Sequence, residues 1–320
     1  MPFQDIKGQN KAIGIIRESI RRNRLEGGYI FAGPEAVGKR FAARTLAKAV
    51  NCLERADDPC DSCPSCRKID KNEHPDVHLV TDPQRAAIKI EQVRQLQKEI
   101  SLRPYEGKKK VFIIDNAEDL TPEAASALLK ILEEPPANSL IILISAKPNL
   151  LFKTITSRCK IIKFSNLKRT QLKEILSADY NLDHELAHFL AYFSEGSIGK
   201  ALSLKEADIL RLKNRIIDEF VVQKKTGTDY SSLQNKEYLR QSLNILASWF
   251  RDIYMVKVGM PHTELINLDR KGDLLRTMSN FSFMDLDGIL NFISSALLYL
   301  EQNINVKLLI SNLRMELWKE

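Results

Sequence analysis

A parallel α/β sheet covered by helices on both faces, followed by an all-helical remainder, is the fold that this 320-residue sequence predicts. Three observations predict it. Short apolar runs alternate with helical patterns as far as Phe164, a phosphate-loop motif joins the first run to the first long helix, and strand signals largely vanish from Asn166 onward. The length suffices for two or three domains, and a composition of 44% hydrophobic and 28% charged residues is that of a soluble globular protein. No apolar run approaches the roughly 18 residues of a membrane helix. The opening Met1-Pro2-Phe3-Gln4-Asp5 lacks the charged and apolar regions of an export signal, so a cytoplasmic location is expected. The net charge of +7 permits a polyanionic partner without requiring one.

Along the chain, Ile13, Ile16 and Ile20 recur at helical spacing beside Arg17, Arg21, Arg22 and Arg24. Residues 9–24 therefore read as an amphipathic helix with a basic outer face, suited to solvent or to nucleic acid. The strand-like run Tyr29-Ile30-Phe31-Ala32 leads into Gly33-Pro34-Glu35-Ala36-Val37-Gly38-Lys39-Arg40. In G-x-x-x-x-G-K-[ST] the glycines let backbone N–H groups wrap the phosphates, the lysine reaches the outer phosphates, and the last hydroxyl ligates Mg²⁺. Here Arg40 replaces that hydroxyl.

Phe41, Ala42, Leu46, Ala49 and Val50 continue the helix toward Cys52, where the spacing Cys52-x7-Cys60-x2-Cys63-x2-Cys66 interrupts the pattern. Pro59 and Pro64 are expected to force turns there. Thiolates two residues apart can converge on one tetrahedral ion, and four of them close its shell against water. A structural Zn²⁺ is expected in preference to reduced thiols or a disulfide pair. His74 and His78 are nearby, but four cysteines fill the shell and both histidines read as structural.

Residues 77–80 form a short strand, and Val93, Leu96 and Ile100 mark a helix over about 91–101. Lys108, Lys109 and Lys110 then lead into Val111-Phe112-Ile113-Ile114, a continuous apolar run of the kind buried in a parallel sheet. It ends on Asp115, where a carboxylate downstream of a phosphate loop would hold the Mg²⁺ shell. The next position is Asn116, whose amide cannot accept a proton from water. Residues 122–133 form a helix stopped by Pro135-Pro136. Strands follow at 140–144 and 160–164, with Ser157-Arg158-Cys159 just before the last. Taken alone, Arg158 there is a surface residue or an internal ion pair.

Residues 168–205 hold three short helical patterns broken at Gly196-Ser197-Ile198-Gly199. Longer patterns follow on Ile209, Ile216 and Phe220, then Leu243, Leu246, Phe250 and Ile253, then residues 289–300 and 308–318, with loops at 224–235 and near Pro261.

These residues together resemble the bacterial DNA polymerase III clamp-loader family, AAA+ proteins that include the gamma/tau motor and the delta-prime subunit. The resemblance rests on Gly8-Gln9, the loop Gly33 to Lys39, the four cysteines and His74-Pro75-Asp76. It continues with Asp115, the run Ala127-Leu128-Leu129-Lys130-Ile131-Leu132-Glu133-Glu134-Pro135-Pro136, Ser157-Arg158-Cys159, and Asn305-Val306-Lys307-Leu308. It implies a P-loop AAA+ domain over residues 1–164 with a four-cysteine zinc module at 52–66, a small helical lid domain at 165–205, and a helical collar domain at 206–320. Motor subunits keep the loop Ser/Thr, a Glu after the strand-end Asp and an arginine in G-S-x-R; this sequence has Arg40, Asn116 and Gly199. Delta-prime subunits resemble that pattern and keep S-R-C.

The resemblance then implies a degenerate site made of Gly33, Gly38, Lys39, Arg40 and Asp115. Metal-free retention of ATP or ADP and an empty pocket are both open there. It also implies an Arg158 finger acting in trans on ATP held by a neighbouring motor subunit. The partners are motor and delta subunits, the sliding clamp and primed DNA, with no membrane. Two rivals remain: an ATP-hydrolysing gamma/tau-like motor, and a stand-alone zinc-containing DNA-binding protein. A nucleotide kinase finds no phosphate-acceptor constellation.

Overall fold

The computed structural model describes residues 2–25, 27–55, 57–81, 87–223, 235–300 and 306–317. The chain groups into two compact units, Met1–Lys168 with Ser197–Lys200, and Arg169–Gly196 with Ala201–Glu320. In the first unit α1 (Asn10–Arg21), β1 (Gly27–Ala32), α2 (Lys39–Asn51), α3 (Pro64–Asp70), β2 (Val77–Val80) and α4 (Ile90–Ile100) come first. β3 (Lys110–Ile114), α5 (Pro122–Glu133), β4 (Ser139–Ser145), α6 (Lys153–Thr156) and β5 (Cys159–Lys163) follow. Every strand pairing is parallel, in the order β2-β3-β4-β1-β5.

β3 and β4 are buried along their whole lengths, which is why they read as unbroken apolar runs rather than alternating ones. Successive side chains point to opposite faces. Tyr29 and Phe31 thus join Ile13, Ile16, Ala42 and Leu46 from α1 and α2, while Ile30 and Ala32 join Val93, Leu96, Leu128 and Leu132 from α4 and α5. β5 forms an edge and leaves Lys160, Ile161 and Lys163 exposed. Parallel pairing brings the carboxyl ends of β1, β3 and β4 to one side of the sheet, where open α/β sheets bind ligands. A bond from the Gly33 N–H to the Ser145 carbonyl, 3.1 Å, ties the end of β1 to the end of β4.

α5 is capped by Thr121, whose hydroxyl accepts from the Ala124 N–H, and Pro122 occupies its first turn, where no donor is needed. Pro64 plays the same part at the start of α3. The proline expected to force a turn therefore opens a helix.

The second unit contains α7 (Arg169–Tyr180), α8 (His184–Phe193), the remainder of α9 (Ile198–Glu206) and α10 (Ile209–Ile217), which runs into a π-helical turn at Asp218–Val222. α11 (Lys236–Lys257), α12 (Lys271–Thr277), α13 (Phe283–Tyr299) and α14 (Val306–Leu317) complete it. Leu243, Leu246, Trp249, Phe250 and Ile253 of α11 and Leu286, Ile289 and Ile293 of α13 are buried. The segment after Pro261 is more ordered than a loop: short 3₁₀ turns at His262–Glu264 and Leu268–Arg270 precede α12. Buried Asp252 anchors it by accepting the Ile266 and Asn267 backbone N–H groups at 2.8 Å each. Residues 224–234 of the loop predicted at 224–235, Asn305 and Trp318 lie outside the described residues. Among the described residues no single helix is long and apolar enough to cross a membrane.

Candidate functional site

β1 ends at Ala32 and α2 begins at Lys39, so the phosphate-loop motif joins a strand to a helix, as its sequence requires. Gly38, with φ +95°, caps α2 in a conformation that favours glycine. Lys39 turns back on the loop, its Nζ donating to the Gly33 and Pro34 carbonyls. Burial lowers the lysine's pKa, against the raising influence of Glu118, Asp115 and Glu35. Arg40 NH1 lies 3.6 Å from Asp115 Oδ2. A guanidinium thus faces the carboxylate that directly follows β3.

Asn116 adopts φ +53° and its N–H donates to Asp115 Oδ1 at 3.1 Å. Sequence reasoning missed Glu118, which the short turn at Ala117–Asp119 aims back at the same place. Its Oε1 accepts from the Ala146 and Lys147 N–H groups at 3.0 and 3.3 Å, while its Oε2 is buried without a hydrogen-bond partner.

The start of α9 closes over the loop within the same unit. Ser197 Oγ donates to the Glu35 carbonyl at 3.1 Å, and the Gly199 N–H donates to the Ala36 carbonyl at 3.0 Å. A Cβ at position 199 would lie 2.7 Å from that oxygen, so this approach excludes any side chain, including an arginine. Gln9 buttresses the loop from below, donating to the carbonyls of Val37 at 3.3 Å and Ser165 at 2.8 Å.

Arg158 is elsewhere. It immediately precedes β5, whose register pairs Cys159 with Gly28, at the amino end of β1. Gly33 is five residues further along that strand, roughly 17 Å at about 3.3 Å per residue. That is farther than one arginine side chain can reach. The Arg158 guanidinium is held by Glu133, with Nε and NH2 at 2.8 and 2.6 Å from Oε1, and NH1 donates to the Thr154 carbonyl at 3.1 Å.

The Sγ atoms of Cys52, Cys60, Cys63 and Cys66 all lie within 4.8 Å of one another. Cys52 caps the end of α2, Cys63 caps the start of α3, and Cys66 sits in the first turn of α3. Backbone N–H groups of Arg55, Cys63 and Cys66 point at the sulfurs of Cys52, Cys60 and Cys63 at 3.3–3.4 Å, outer bonds of the kind that orient and steady thiolates. Burial pushes the Cys60 thiol up, but hydrogen bonds from Ser62 and Cys63 outweigh it and bring it down to about 7. Burial raises Cys66. Four soft donors in a closed, mostly buried cluster fit a metal ion. Buried Lys48 bonds to Asp61 and Asp70 and ties the cluster to α2. His74 and His78 do not join it: His74 Nδ1 accepts from the Asp76 N–H, and His78 stacks on Phe112.

Families described as DNA polymerase III, delta subunit, and DNA polymerase III, delta subunit, C terminal, match residues 8–168 and 209–317. DNA polymerase III subunit delta' of Bacillus subtilis (strain 168) is 31% identical over 261 residues, 78% of each chain. DNA polymerase III subunit gamma/tau of Mycoplasma pneumoniae is 35% identical over 207 residues, which span 63% of this chain and 30% of that one. Among solved structures, a DNA polymerase III gamma subunit-related protein from Thermotoga maritima is similar over 96% of this chain and 98% of its own, with 17% identity and a TM-score of 0.46. The chain belongs to the DNA polymerase III delta-prime family of AAA+ clamp-loader subunits.

Proposed function

We propose that this clamp-loader subunit does not hydrolyse ATP at its own site and lends Arg158 to the ATP site of a neighbouring gamma/tau motor subunit. The observation that carries this reading is the Arg40–Asp115 ion pair, which puts an internal cation on the strand-end carboxylate suited to a Mg²⁺ shell. Asn116, directly after it, supplies no proton acceptor, and the nearby Glu118 carboxylate is engaged through Oε1 by the Ala146 and Lys147 N–H groups. Arg158 lies at the other end of β1, beyond reach of its own loop, which supports a role toward phosphates bound by another chain. An arginine finger of this kind is typically worth about 10³ to 10⁵ in rate.

In the same reading Cys52, Cys60, Cys63 and Cys66 hold a structural Zn²⁺, with no position open to water. Residues 165–205 act as a lid domain, and residues 206–320 join a collar with the motor and delta subunits. The assembly places the sliding clamp on primed DNA in the cytoplasm.

The test is ATPase measured on the isolated, metal-loaded chain and on the loader reconstituted with motor and delta subunits. The isolated chain is expected to match its Lys39→Ala variant. In the reconstituted loader, Arg158→Ala should assemble normally and lower DNA-stimulated ATPase; an unchanged rate refutes the finger. The identity shared with gamma/tau subunits favours one rival, a working motor. Turnover by the isolated chain that disappears in Lys39→Ala would establish that rival instead.

A further inference from the structure

The segment Leu132-Glu133-Glu134-Pro135-Pro136 has no part in the functions assigned so far, yet it ends against Arg158. We propose that Glu133 is the positioning residue of the Arg158 finger, and that Gly28 sets the spacing between them. This rests on reading Arg158 as a donor to a neighbouring ATP site.

Glu133 is the last residue of α5, fixed there by the two prolines that follow. Both the Nε and NH2 groups of Arg158 converge on its Oε1, at 2.8 and 2.6 Å. On the opposite side NH1 donates to the Thr154 carbonyl and to Ser157 Oγ, at 3.1 and 3.2 Å. The guanidinium is thus gripped on two sides while its side chain stays about one-third exposed. An unpaired arginine on a domain edge samples many rotamers. Docking would have to order it at an entropic cost, which this grip removes beforehand.

The neighbours of the pair in sequence fix its separation. Leu132, next to Glu133, and Cys159, next to Arg158, both press on Gly28 of β1. A Cβ there would lie 2.6 Å from Leu132 Cδ2 and 2.6 Å from Cys159 Sγ. The end of α5 and the start of β5 meet over the Gly28 backbone, where the Leu132 and Cys159 side chains close on the space that a Cβ would take. Small changes in that contact move the carboxylate relative to the guanidinium, and misplacement of a catalytic group by about 1 Å can cost on the order of 10²-fold in rate.

The experiment is steady-state ATPase of the reconstituted loader with clamp and primed DNA, carrying Glu133→Ala, Glu133→Gln, Arg158→Ala, or Glu133→Ala with Arg158→Ala. Glu133→Ala is expected to lower kcat by about tenfold with the KM for ATP unchanged, since the geometry of the finger and not nucleotide binding is disturbed. Glu133→Gln should keep most of the activity, because one amide oxygen can accept both N–H groups. The double variant should be no slower than Arg158→Ala alone. A wild-type kcat in Glu133→Ala, or an equal loss with and without Arg158, overturns the proposal while leaving the finger standing. A wild-type rate in Arg158→Ala overturns both.

Discussion

Replacing Asp76 by asparagine should unfasten the loop that leads into β3, and the size of the effect follows from its bonds. The fully buried carboxylate accepts the Tyr105 N–H on Oδ1 at 2.7 Å, and the Glu106 and Gly107 N–H groups on Oδ2 at 2.9 and 2.7 Å. The Lys110 ammonium lies 3.5 Å away. An asparagine of the same shape has one acceptor and one donor, so in either orientation its NH₂ meets at least one backbone N–H. An orphaned buried donor costs about 1–3 kcal/mol. Lys110, itself buried, also loses its counter-charge, so about 3–5 kcal/mol in all is expected. Hydrogen exchange of a peptide spanning residues 103–110 should lose protection in Asp76→Asn, and the thermal midpoint should fall.

The pH dependence has a definite sign. Burial pushes the Asp76 carboxyl up, but the Tyr105, Gly107 and Glu106 N–H groups, helped by Lys110, outweigh it and hold the carboxyl below the usual range. A depressed carboxylate contributes stability above its unfolded pKa of about 3.9 and loses it as pH falls through the folded value. The gap between wild type and Asp76→Asn should therefore be full above about pH 4 and close below it. Unchanged exchange and an unchanged midpoint would refute this account of His74-Pro75-Asp76.

Two further perturbations probe the remaining sites. Arg40→Ser restores the loop hydroxyl and frees Asp115; the ion pair is half exposed and worth about 1 kcal/mol at most, so folding should be little affected. Titration calorimetry should then find Mg²⁺-dependent ATP binding stronger than in wild type, without turnover, and no gain would show that Arg40 is not the obstacle. Metal analysis should find about one Zn²⁺ per chain, as a closed four-thiolate site requires. Chelation should speed hydrogen exchange in residues 3–17, because Asp58 of the cysteine module accepts the Phe3 N–H at 3.0 Å and pairs with Arg17. Exchange that ignores the metal would break that link.

The sheet was legible because burial on both faces forces unbroken apolar runs, and β1, β3 and β4 carry them. The cysteine cluster was legible because its spacing is local. Features that depend on distant partners were not. Pro64 looks like a turn former in sequence and opens α3 because Cys63 supplies the cap. The order after Pro261 depends on Asp252, fourteen residues from Ile266, and no periodicity announces it. Glu118 and Glu133 look like ordinary surface carboxylates. Only the folded chain aims one at the end of β4 and the start of α2 and the other at Arg158.

β1 connects the two halves of the proposed function. One end runs into a loop whose lysine bonds to its own carbonyls and whose outer peptides are held by Ser197 and Gly199. The other end carries Gly28, against which the residues beside Glu133 and Arg158 pack. In a working ATPase the loop end of such a strand changes partners with each nucleotide, and a strand paired to β5 would carry that change toward the finger. Here the loop's lysine already bonds to the Gly33 and Pro34 carbonyls, so on the proposed reading β1 transmits no nucleotide-driven change. On that reading Arg158 is presented from a fixed support, and the neighbour that binds ATP sets the timing of its engagement. Arg40→Ser tests this coupling as well: if it admits nucleotide, ATPase of the reconstituted loader should become sensitive to nucleotide in the delta-prime loop, and indifference would mean that β1 does not couple them.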